Sequence, residues 1–211
     1  MSSKQAHPWS ATLAALVAVL AMPSVGATLA TRTGSSSLRS SSKSLAAKES
    51  EPTPDEAGLF GPPFSVPLVR VETGEVAGQV QMQLAVTPPE QHHGLMFRRS
   101  LAEDSGMLFL YTTPSRRVLW MKNTYVPLDA AWFTNDGVLR EVQHLQPFDL
   151  TYRWSGREDI SMGLETPQGY FEKHGFAPGS VKVDLDALSA ALLERGFRPD
   201  QFIKIGTGLL K

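Results

Sequence analysis

Between residues 79 and 183 the chain is cut into short apolar segments by turn residues, and this pattern limits the folds open to it. Residues 79–86 alternate. Val80, Met82, Leu84 and Val86 share one face, and Gln79, Gln81, Gln83 and Ala85 the other, which is the period of two expected of a half-buried strand. Residues 107–111 form a continuous apolar run closed by Thr-Thr-Pro-Ser, as in a buried strand. Residues 117–124 are the next candidate strand. Residues 128–134 and 138–145 flank Asn135-Asp136-Gly137, a hairpin signal because all three residue types tolerate positive φ. Residues 160–165 and 180–183 supply two more. Strands in succession with turns between them predict a mainly β domain, an antiparallel β-sandwich or barrel-like fold, rather than alternating strand and helix.

Two helices interrupt this series. Thr87-Pro88-Pro89-Glu90 has Thr at the N-cap, Pro at the first helical position and Glu three residues on, the composition of a capping box. It predicts a short helix over residues 88–97, with Gly94 marking either close packing or an early end. Asp184 can cap a second helix over 185–195, ended by Gly196, whose Leu185, Leu188 and Leu192 form one apolar face. Residues 202–205 read as a last strand. The segment 185–211 is expected to dock on the sheet or to pair with another chain.

The front of the chain is of a different kind. Ala11 to Met22 is an apolar run broken only by Thr12, preceded by Lys4 and followed by Pro-Ser-Val-Gly-Ala. It is shorter than the ~20 residues needed to cross a bilayer. It fits a signal peptide of residues 1–27 cleaved after Ala27, with no membrane span afterwards. Residues 28–50 hold 11 Ser or Thr, and prolines and acids follow. The segment 28–63 therefore reads as a disordered linker. Being Ser-rich, Arg-containing and poor in acids, it also resembles a transit peptide. The expected destination is an exported compartment, with a plastid reached by signal plus transit peptide as the alternative. The domain proper is expected at 64–184.

The chain has no cysteine, so stability must come from an apolar core, and thiol chemistry and thiolate metal sites are excluded. Its 20 Lys and Arg stand against 21 Asp and Glu. The basic excess lies in the first 50 residues, which leaves an acidic body and argues against nucleic acid as a partner. No Gly-x-Ser-x-Gly elbow, phosphate loop or dinucleotide fingerprint is present, so no cofactor is implied.

Three blocks carry a resemblance: Gly94-Leu95-Met96-Phe97-Arg98, Asp104-Ser105-Gly106-Met107-Leu108-Phe109, and Trp120-Met121-Lys122-Asn123-Thr124 with Pro127-Leu128-Asp129. Leu164-Glu165, Gly169, Gly175 and Gly179 continue it. Over roughly residues 66–184 the chain resembles the domain of unknown function 192 family. The resemblance implies a compact, mainly β domain, often behind an export signal, and implies no activity.

Strand alternation then places Trp120, Lys122 and Thr124 on one face. It puts Asp129 among apolar neighbours, where a carboxylate without partners costs several kcal/mol. Lys122 or Arg98 is the expected cation beside it, and Glu165 on an apolar strand raises the same question. Arg98, Trp120, Lys122, Asn123, Thr124, Asp129 and Glu165 are therefore the candidate polar cluster. They are expected either to line a site for a small polar ligand or to form an ion-pair network pinning the helix to two strands. A partner protein is the other expected occupant, on an apolar face near Leu188 and Phe202. One alternative is a hydrolase using Asp129 and Glu165. Another is copper binding through His92, His93 and the five methionines Met82, Met96, Met107, Met121 and Met162, although Met is more often a core filler.

Overall fold

The computed structural model describes residues 58–204. The expected signal peptide, most of the linker and the end of the C-terminal segment lie outside the described residues. Nine strands make up most of the domain: β1 (Phe64–Arg70), β2 (Val76–Ala85), β3 (Ser105–Ser115), β4 (Val118–Leu119), β5 (Leu128–Thr134), β6 (Leu139–Leu145), β7 (Arg153–Trp154), β8 (Ile160–Pro167) and β9 (Val181–Val183). Among the described residues, short helices accompany them: residues 58–60 are helical, followed by α1 (Pro88–His93), α2 (Tyr170–Lys173) and α3 (Leu185–Glu194).

Seven strands form one curled sheet in the order β6-β5-β8-β3-β2-β1-β9, and β4 and β7 pair separately as a small ribbon. The curl brings the two edges together at one end. Val138, just before β6, bridges Lys182 of β9, and the Val183 N–H donates to the Gly137 carbonyl at 2.9 Å. The mainly β, barrel-like expectation therefore holds, with one departure. β2 and β3 run parallel, because the chain between them crosses over through α1 instead of turning in a hairpin.

Each face of the sheet carries its own core. On one face Val80, Met82 and Leu84 of β2 meet Leu108, Leu110, Ala131, Phe133 and Leu164, roofed by Phe171 of α2 and by Leu188 and Leu192 of α3. On the other, Met107, Phe109, Ala130 and Trp132 are roofed by Phe60, Leu95, Leu119 and Met121. Every residue of β5 is buried, as befits a strand covered on both sides. Phe60 is fully buried, so ordered chain begins before residue 64.

α1 stops at His93, Gly94 at its C-cap has φ 51°, and a Cβ there would lie 3.2 Å from the Phe109 ring, so both the early end and the close packing occur. Glu90 reaches back to accept the N–H groups of Val86 and Thr87, each at 2.7 Å. α3 is capped as expected, with Asp184 Oδ1 accepting from Asp186 and Ala187. The expected strand at 202–205 is not formed. Pro199–Gln201 make a 3₁₀ turn, and Phe202 and Ile203 are buried under the sheet. Ile205 lies outside the described residues. Leu188 and Phe202 are both in the core, so among the described residues neither contributes to the exposed apolar partner surface expected there. The candidate strand at 117–124 shrinks to Val118–Leu119. Beyond it the backbone turns, with Asn123 at φ 53°, so Trp120, Lys122 and Thr124 do not share a strand face.

Candidate functional site

The structure splits the expected cluster into three places. Asp129 is fully buried on the face that carries α2. It pairs in register with Thr166 of β8 and His144 of β6. Its Oδ1 lies 2.6 Å from His144 Nδ1. Its Oδ2 accepts the Gly169 N–H at 3.0 Å and the Phe171 N–H at 3.5 Å. The donors are thus an imidazole and the first turn of α2, not Lys122 or Arg98. Sequence reasoning missed His144 because it lies across a hairpin, 15 residues on.

Glu165 lies on the opposite face, in register with Ala130 and Met107. Burial pushes its carboxyl up to about 8, and the Arg98 charge offsets only part of that. Arg98 donates to the Gln83 side chain and lies 5.8 Å from the Phe60 ring centroid. Burial also raises the Tyr111 hydroxyl on this face, with the Arg117 charge opposing and Glu165 adding to the rise. Arg98 and Glu165 therefore belong together. Asp129 and Glu165 do not, since the sheet lies between their side chains, and no single acid pair can be made from them.

Trp120, Lys122, Asn123 and Thr124 form the third place, a turn beside α1. Lys122 Nζ sits 5.1 Å from the Trp120 ring centroid. The Asn123 carbonyl accepts the Phe97 N–H at 2.7 Å, and Thr124 Oγ1 donates to the Lys122 carbonyl at 3.2 Å. This turn is stitched to the loop 146–154. The Met121 N–H donates to the Asp149 carbonyl and the Phe148 N–H to the Thr124 carbonyl, while Val118 pairs with Trp154.

That loop carries side chains that the sequence reading passed over. Phe148, Leu150, Tyr152 and Trp154 alternate with polar residues as a half-buried strand would, yet all four are between 50% and 63% exposed. Phe97 and Tyr125 beside them are exposed too. Tyr125 meets Phe148 edge to face at 4.9 Å between centroids, and Trp120 meets Tyr152 at 5.8 Å. Cations cover the rings: Arg99 over Tyr125 at 4.9 Å and Arg116 over Trp154 at 5.8 Å. The signal was legible as an apolar alternation in the middle of a Pro- and Asp-containing loop.

An open groove of about 340 Å³ lies between α1 and β3, lined by Gln91, Tyr111, Arg117 and Phe202 among others. None of the seven expected residues lines it. No group of three or more His, Asp or Glu able to hold a metal occurs among the described residues. The five domain methionines are buried, and Met82, Met107, Met121 and Met162 are part of the two cores. Among the described residues no helix is long and apolar enough to cross a membrane.

Solved structures similar to this one include the following two. A protein from Sinorhizobium meliloti 1021, named a "putative transcription regulator", is 32% identical over 57% of this chain and 92% of its own, at a TM-score of 0.53. A protein of unknown function from Novosphingobium aromaticivorans DSM 12444 is 30% identical over 57% of this chain and 83% of its own, at a TM-score of 0.51. No curated protein matches. The family described as uncharacterized ACR matches residues 69–183, more than half of the 211 residues. On that span, which runs from β1 to β9, the chain belongs to the DUF192 family.

Proposed function

We propose that this is an exported binding domain whose partner docks on the aromatic and cationic surface built by residues 97–99, 116–126 and 146–154. One observation carries the reading. The alternating row Phe148, Leu150, Tyr152 and Trp154 is half exposed or more, while the rest of the alternating strand pattern is buried in two cores. Contiguous exposed apolar surface rimmed by charge marks interaction sites. The surface is also braced, because backbone hydrogen bonds tie its loops together, which lowers the ordering cost of binding. Trp120, Lys122, Asn123 and Thr124 belong to it. Arg98 and Glu165 lie beneath it, and Asp129 serves the fold on the other face.

Export rests on the apolar run 11–22 and the small residues after it. Sequencing the N-terminus of the chain recovered from its host tests this: a start at Thr28 supports it, and an intact Met1 overturns it. The docking reading is tested by Trp120→Ser with Tyr152→Ser. Molecules that co-purify with the wild-type chain should be lost from the double variant at an unchanged melting temperature. Retention of the same molecules by the variant overturns the reading.

A further inference from the structure

We infer that the partner of this surface is an anionic lipid bilayer, on which the row of residues 148–154 lies at the headgroup level. The inference rests on the binding-surface reading above and names the occupant. Its first support is the composition of the row. Tyr152 and Trp154 are rings with a polar tip, the residue types that favour a membrane–water interface. Phe148 and Leu150 have no polar tip, and Leu150, at 63%, shares the highest exposure among the large apolar side chains. A leucine offers nothing to a sugar or a base, which stack on flat rings, whereas it gains by entering acyl chains.

The second support is charge. The surface holds Arg99, Arg116, Lys122 and Arg153 against one acid, Asp149, in a chain whose net charge is −1. Asp149 is already committed. Its Oδ2 accepts from Arg153 at 2.7 Å and its Oδ1 from the Thr151 N–H at 2.9 Å. Arg99 and Arg116 sit over the exposed rings of Tyr125 and Trp154, and Lys122 over the half-buried Trp120, so cation and apolar side chain meet the same plane. That arrangement matches an anionic headgroup layer above a hydrocarbon core. The third support is presentation. Phe148 holds φ 62°, an uncommon conformation for a bulky residue, fixed by its N–H bond to Thr124. The row is thereby presented on one side of a braced loop.

The test mixes the full chain with phosphatidylcholine vesicles prepared with and without phosphatidylglycerol, and measures co-sedimentation. Binding should need the anionic lipid and fall as salt rises. Leu150→Ser with Trp154→Ser should weaken it by about tenfold or more, and Arg116→Gln and Lys122→Gln by about fivefold each. All variants share the N-terminal apolar run, so differences between them report on this surface. Phe148→Ser substitutes for either serine change if one lowers the melting temperature. Equal sedimentation of all variants overturns the inference. If a single-stranded oligonucleotide or a soluble polysaccharide is held instead, and only by the wild-type surface, the docking reading stands and the bilayer falls. If no probe depends on these residues, both fall.

Discussion

Asp129 of β5 and Glu165 of β8 are near neighbours in the sheet, yet their side chains project from opposite faces. The register decides it, since Asp129 stands opposite Thr166 and Glu165 opposite Ala130, and residues directly opposed across strands share a face. One step of register thus gives two acids two environments. Asp129 meets an imidazole and two backbone N–H groups. Glu165 is buried among apolar side chains, with the Arg98 charge offsetting only part of that burial.

Asp129 is therefore predicted to be a keystone of the fold. Asp129→Ala removes the acceptor for the Gly169 and Phe171 N–H groups and should cost about 2–4 kcal/mol of stability. Asp129→Asn keeps one acceptor oxygen and should cost about half as much. His144→Ala should cost about 1 kcal/mol, because its ring is largely exposed and the backbone donors remain. Urea denaturation of the three variants checks the order, and a negligible loss for Asp129→Ala would contradict the role.

Glu165 makes the opposite prediction. Its folded pKa, about 8, lies above the ordinary 4.5. The folded state therefore holds this proton at pH values where the unfolded state releases it, and stability falls as pH rises between those values. Each unit of that difference is worth about 1.4 kcal/mol, so the fall should amount to a few kcal/mol. Glu165→Gln keeps the shape without the charge. It should flatten this part of the stability profile and melt higher than wild type at pH 8. Melting curves from pH 5 to 9 decide, and parallel profiles for the two proteins would refute the assignment.

How much of this was legible beforehand follows from what each residue interacts with. Local signals were readable: the Thr87–Glu90 box, the Asn135–Gly137 turn and the Asp184 cap all formed where the sequence placed them. Periodicity in residues 79–86 and 128–134 gave the strands. It misled at 120–124, where Trp-Met-Lys-Asn-Thr bends at Asn123, and the alternation at 148–154, which marks a surface and not a core, was passed over. The parallel β2–β3 pair and the His144 partner of Asp129 are non-local, set by a crossover and by a register that no single segment encodes. The candidate cluster failed as one site for the same reason, because face assignment depends on which strands become neighbours.

The Asp-Ser-Gly-Met block carries a further constraint. A Cβ on Gly106 would lie 2.5 Å from the Glu165 carbonyl oxygen, well inside contact distance and against backbone that cannot swing away. Gly106→Ala should therefore separate β3 from β8 locally and cost about 1–3 kcal/mol or more. Gly74→Ala provides the contrast. Nothing lies within 4 Å of a Cβ there, and only its φ of 73° opposes the change, so the loss should be near 1 kcal/mol. Equal losses in chemical denaturation would show that space at Gly106 is not the limit.

The buried pair of Glu90 and Arg195 tests how the two ends of the domain are joined. Arg195 Nη2 lies 2.5 Å from Glu90 Oε1, and its Nη1 donates to the Leu84 carbonyl at 2.8 Å, so the last turn of α3 is tied to α1 and to β2. Burial by itself would raise the Glu90 carboxyl, but the Thr87 and Val86 N–H groups and Arg195 together hold it below the ordinary 4.5. A depressed acid contributes stability that is present above its unfolded pKa and is lost as pH falls through the folded one, so the wild type should lose stability below about pH 4.5. Arg195→Met leaves a buried carboxylate with backbone partners only and should cost about 3 kcal/mol at neutral pH. Adding Glu90→Gln removes that stranded charge, so the double variant should be more stable than Arg195→Met alone. If the two losses simply add, the pair is not coupled, and the tie between α1 and α3 must come from the apolar contacts around it.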